Sequence, residues 1–242
     1  MHKFTLIKKV SLFRLALFSL WLLPCLYFTF LIAEKINTSS LTYDSTQNVK
    51  IASNIVRYGS FSLDADGENP THFREPLPVF LIAGYIYLSP EINSSESYAE
   101  IASGDSLLAL KKLNLIYIAL TFLIIVMTVR IFVPNTWVWI GGSLFTMLVF
   151  YEFILHKYYN HSLMLTEVLT SGVLMLQVVF TVFAFRTGHL RYYLTCGLFL
   201  GLLALTKAAY LYVTVGFIVF LLIYKIAYNR YAQINCIPYG WK

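Results

Sequence analysis

The segment YDSTQNVKIASNIVRYGSFSLDADGENPTHFREPLP, residues 43–78, is a polar island in an apolar chain, and the fold is read outward from it. It opens with Asp44 and closes on Arg74-Glu75-Pro76. Val49, Ala52 and Val56, with Ile51, Ile55 and Tyr58, recur at three- and four-residue spacing. That spacing predicts an amphipathic helix ended by Gly59. Asp64-Ala65-Asp66-Gly67-Glu68-Asn69-Pro70 is turn chemistry. The apolar run Leu77–Leu88 that follows is about twelve residues long. A bilayer crossing takes roughly 20 residues, so an interfacial or re-entrant helix is expected there instead.

Composition sets the class around this island. Of 242 residues, 58% are hydrophobic and only 12% charged, about half the charge of an ordinary soluble domain. The expectation is an all-α polytopic membrane protein. The net charge of +6 then marks cytoplasmic loops rather than a nucleic-acid surface. Cys25, Cys196 and Cys236 lie far apart without metal-ligand spacing, and the first two read as small hydrophobes inside apolar runs.

Six spans are expected, and charge orients them. Lys3, Lys8, Lys9 and Arg14 precede the apolar run 15–33, which places the amino end in the cytoplasm. A cleaved signal peptide is the alternative, but the run is long and lacks a small-residue cleavage site. Residues 34–112 hold ten of the twelve acidic residues and form a large external loop. The further spans are 113–133, 137–155, 163–185, 192–206 and 210–224. Arg130, Arg186, His189, Arg191, Lys225 and Arg230 then fall in the cytoplasm. If 77–88 crossed as well, Arg186 and Arg191 would face outward, against the positive-inside rule.

Several residues in this frame can carry chemistry. Asp44 can act as a base or ligate a divalent metal, and with Gln47 three residues on it can equally form a capping-box-like pair. Glu75 can simply favour the dipole of the following helix. Glu167, inside the fourth span, is a functional candidate by its cost in lipid, or else it snorkels to the nearby outer surface. Glu152 sits similarly one span earlier. Lys111, Lys112 and Lys207 lie at outer helix mouths, where they can cradle a phosphate or anchor headgroups. His156 and His161 flank Tyr158-Tyr159-Asn160 and read as interfacial, since a metal site needs further ligands.

Taken in order, these segments resemble the GT-C superfamily of membrane glycosyltransferases, the polyprenyl-phosphate-sugar-dependent kind related to protein mannosyltransferases and aminoarabinose transferases. The resemblance runs through Asp44 after the first span, Asn54-Ile55-Val56-Arg57-Tyr58-Gly59-Ser60-Phe61, and Arg74-Glu75-Pro76-Leu77-Pro78. It continues through Lys111-Lys112-Leu113-Asn114, Leu163 to Val168 with its Thr166-Glu167 pair, and Gly197 to Lys207, covering residues 1 to about 225. It implies inverting transfer of a sugar from a polyprenyl-phosphate donor to a glycan, lipid or protein acceptor on the non-cytoplasmic face. The expected setting is a bacterial inner (plasma) membrane. By the same resemblance Asp44 is the catalytic base and Glu75 a second loop acid that helps hold acceptor or metal. Arg74, Lys111, Glu167 and Lys207 are implied in substrate binding. Lys111 and Lys207 stand where the family often has Arg, which removes bidentate phosphate geometry. Family members generally continue into more spans, so the resemblance implies a truncated chain or one needing a partner. A non-catalytic membrane subunit, or a remnant that binds a lipid carrier, is the competing expectation.

Overall fold

The structure, a computed structural model, describes residues 21–41, 43–72, 74–155 and 166–234. Every named element among these is an α-helix: α1 (Trp21–Ala33), α2 (Tyr43–Tyr58), α3 (Pro76–Leu88), α4 (Tyr98–Ile101), α5 (Gly104–Phe132), α6 (Thr136–Leu155), α7 (Thr166–Thr187), α8 (Leu190–Thr206) and α9 (Ala209–Ile234). The helices assemble around two apolar cores, one polar-capped and one inside the bundle.

The first core belongs to the loop region. The periodicity expected for α2 is present, and Val49, Ile51 and Ala52 are fully buried against Val79, Ile82, Ala83 and Ile86 of α3. Gly59 ends α2 at a positive φ of 68°, a conformation that a side chain disfavours. The turn 64–70 is pinned from behind by Asn54, whose amide donates to the carbonyls of Ser62 (2.8 Å) and Asp64 (2.6 Å). Pro76 opens α3 at the first turn, where its missing N–H costs nothing. With 13 residues α3 extends roughly 20 Å, short of the bilayer core, as its sequence length suggests. Its outer face exposes Phe80, Tyr87 and Leu88.

The second core joins α1, α5 and α6 through Trp21, Cys25 and Ile32, Phe122 and Ile125, and Trp139, Met147 and Phe150. Helices α5 and α7 run parallel and close, because Gly172 offers no side chain: a Cβ there would come within 3.0 Å of Thr121 Oγ1. Farther along the pair, an Arg186 guanidinium nitrogen reaches the Ile131 carbonyl.

Among the described residues three helices are long and apolar enough to cross a membrane: α5, α6 and α7. The six-span expectation is therefore met only in its coarser form. The described part of α1 has 13 residues and α8 has 17, and the apolar part of α9 described with its side chains is Ala209–Phe220. Boundaries shift as well. Helix α5 starts at Gly104 rather than at 113, because its first turns bury Leu107, Ala109 and Leu110 against the loop region instead of ending at the surface. Helix α9 continues past 224 to Ile234. Residues 15–20 and 163–165 of the expected spans lie outside the described residues.

Candidate functional site

The loop region and the bundle meet along a seam that collects acids and bases remote in sequence. Asp44 is in the first turn of α2, and Gln47 stands one turn further on. The chain returning from the 59–72 turn delivers Arg74 across that turn. Its Nη2 donates to Asp44 Oδ1 at 2.5 Å and its Nε to Gln47 Oε1 at 2.6 Å. The capping-box reading of Asp44 and Gln47 is thus replaced by a shared guanidinium: both side chains turn to Arg74. The guanidinium is largely covered, 17% exposed, while Asp44 remains 63% exposed. Arg74 bonds Oδ1, and among the described residues Asp44 Oδ2 has no bonded partner.

The next residue, Glu75, occupies the N-cap position of α3 without making a side-chain cap bond. Its Oε1 instead accepts a long bond, 3.5 Å, from the Ala208 N–H immediately before α9. Ala208 follows Lys207, which ends α8. Lys207 Nζ donates to Glu167 Oε1 at 2.6 Å, with both side chains partly exposed. Glu167 is the second residue of α7, and its Oε2 is buried with no hydrogen-bond partner among the described residues. A buried carboxylate oxygen left unpaired is costly, so this atom marks a place where a donor fits.

Five of the expected site residues, Asp44, Arg74, Glu75, Glu167 and Lys207, therefore form one run of contacts. The run is continued by two peptide bonds, 74–75 and 207–208. Acids sit in the first turn or cap of α2, α3 and α7, where the positive helix end favours them by about 0.3–1 kcal/mol each. The seam thus alternates carboxylates with two cations and leaves Asp44 open on its outer side.

Lys111 does not join this run. It is fully buried, 0% exposed, and its Nζ donates to the main-chain carbonyls of Asn37 and Ser39, each at 2.7 Å. The lysine acts as a collar that ties the segment after α1 to the top of α5. Its neighbour Lys112 is exposed and pairs with Glu91. Glu152 is exposed near the end of α6. His156 and His161 lie outside the described residues. No three metal-ligating side chains come together among the described residues.

Gln47 and the Ala208 N–H were not among the site candidates drawn from sequence. Gln47 carried a local signal, three residues after Asp44, whereas nothing in the sequence marks a main-chain donor 133 residues from Glu75. What the fold defines is an all-helical protein compatible with integration in a membrane, carrying a charged seam beside its bundle. The chain matches no family model, no curated protein and no solved structure at a significant level.

Proposed function

We propose that this chain transfers a sugar from a polyprenyl-phosphate donor to an acceptor hydroxyl at the seam, with inversion and with Asp44 as base. In this reading Asp44 Oδ2 removes the acceptor proton as the acceptor oxygen bonds to the anomeric carbon. The bond from that carbon to the phosphate oxygen breaks, and the electron pair leaves with the polyprenyl phosphate. Arg74 and Lys207 supply positive charge toward the leaving phosphate, while Glu75 and Glu167 hold the two arms of the seam. Helices α1, α8 and α9 complete the membrane domain as additional spans, and residues 34–112 face outward in a bacterial inner membrane. Lys111 serves structure rather than donor binding.

The observation that carries this reading is convergence. Five charged residues spread from position 44 to 207 meet at the platform end of the bundle, and the proposed base is the most open of the three bonded acids. Asp44→Asn keeps the acceptor oxygen for Arg74 but removes the basicity. It is expected to lower transfer from a labelled polyprenyl-phosphate sugar by roughly a hundred- to ten-thousand-fold. Circular dichroism should stay at the parent level.

A second reading has one observation in its favour: Asp44 with Arg74 and Glu167 with Lys207 are already paired, as in a purely structural latch. It describes a membrane subunit that binds a lipid carrier without turnover. Transfer near the parent rate in Asp44→Asn would remove Asp44 from catalysis. A parent chain that retains polyprenyl phosphate but transfers nothing favours the second reading.

A further inference from the structure

The opposite end of the bundle from the seam holds a feature that glycosyl transfer does not use. Between α5, α6 and α7 runs a groove of about 510 Å³. Ile124, Met127, Leu176, Phe180 and Phe183 make its walls apolar. Its volume lies within the roughly 300–1,000 Å³ typical of small-molecule sites. The groove is not uniformly apolar. Thr128 lines it and its Oγ1 is buried with no hydrogen-bond partner among the described residues.

Arg130 lines its end, and Arg186 adjoins it through the backbone of Ile131, another lining residue. Arg130 lies over the Trp139 ring, 5.0 Å from the centroid, and donates one bond to the Pro134 carbonyl at 2.8 Å. The ring itself is fixed by its own donation to the Val126 carbonyl. Arg186 reaches the Ile131 carbonyl at 3.4 Å. Each guanidinium has five N–H donors, so most of that capacity is unused among the described residues. Among the described residues neither arginine forms a salt bridge. Arginines at the carboxyl ends of α5 and α7 complement the helix dipoles, but that alone does not account for the apolar channel leading from them.

We propose that this groove is a binding site for an anionic phospholipid. One acyl chain lies along α5 and α7, and the phosphate is held by Arg130 and Arg186. Charge complementarity selects the occupant: a basic pocket between apolar helices on the positively charged side of the bundle suits an acidic headgroup. The site is independent of the seam, so it stands or falls apart from the glycosyl-transfer reading.

The test is native mass spectrometry of the purified full chain released from nanodiscs of equal phosphatidylglycerol and phosphatidylcholine. Retained phosphatidylglycerol is expected in roughly tenfold to thirtyfold excess, the preference that two arginines at an anionic headgroup supply. The double variant Arg130→Gln with Arg186→Gln should bring the ratio near one, whereas Arg130→Lys with Arg186→Lys should keep part of the preference. Leu176→Trp, which fills the channel, should lower retention of both lipids. Equal retention by the parent, or an undiminished preference in the glutamine variant, overturns the proposal. Displacement of the lipid by glycerol phosphate alone would show a phosphate site rather than a lipid site. A disulfide-linked dimer of Met127→Cys in the same nanodiscs would make the groove a contact between two copies, and either result also overturns it.

Discussion

Two lysines at the same end of the bundle, Lys111 and Lys207, illustrate how far one residue type can diverge. Both end up beside a polar partner at about the same distance, yet one belongs to a buried collar and the other to a partly open seam. Lys111 is enclosed, and its partners are the main-chain carbonyls of Asn37 and Ser39. Lys207 meets a carboxylate, Glu167, with a third of its side chain still exposed. The contrast separates support from chemistry. A buried cation bonded to backbone fixes a segment in place, and a half-open ion pair can exchange partners with a charged ligand.

The comparison breaks most visibly at the collar. Lys111→Met removes both bonds to the main-chain carbonyls of Asn37 and Ser39, which lie on an exposed segment, at about 1–2 kcal/mol each. The expected cost is roughly 2–4 kcal/mol, with lost hydrogen-exchange protection through residues 34–41 and α5. A parent-like melting temperature would return Lys111 to the functional candidates. At the seam, Lys207→Gln is expected to cost less than about 1 kcal/mol, the usual worth of a partly exposed ion pair. The same change should weaken polyprenyl-phosphate binding several-fold. If Lys207→Gln melts the protein instead, the seam is a structural latch and the comparison collapses.

The smallest effect is expected at the platform's outer edge. The Ser97 N–H (2.6 Å) and hydroxyl (2.8 Å) both donate to the Glu100 carboxylate. These bonds, the main-chain one first, hold the carboxyl below its ordinary value. A depressed folded pKa contributes stability above the unfolded value that is lost as the pH falls through the folded one. Protection of α4 should therefore decline on acidification below the ordinary carboxylate range. Glu100→Gln should lose that pH dependence while other helices keep theirs; an unchanged decline would assign it to Glu96 or Asp105.

Much of the architecture was legible along the chain because its signals are local. The α2 face, the Gly59 stop, the Pro76 start and the shortness of α3 each follow from spacing or backbone restriction within a few residues. Helices α6 and α8 lie within two residues of their expected bounds for the same reason. Helix α5 escaped its expected start because the short apolar run 107–110 is cut off from the rest of the helix by Lys111 and Lys112, and only packing against α3 and α4 reveals its burial. The span count also depended on more than hydropathy, since α8 stops at 17 residues where Lys207 turns to Glu167.

The sequence by itself determined an apolar helical chain with a polar loop region and a short list of charged residues worth attention. It could not rank Lys111 against Lys207, or show that Asp44 and Gln47 turn to Arg74 rather than to the helix end. Those outcomes depend on contacts that bridge 27 to 133 residues, such as Arg74 with Gln47 and Ala208 with Glu75. Electrostatic partners are chosen by proximity and burial, and both exist only once α2, α3, α7 and α8 have packed.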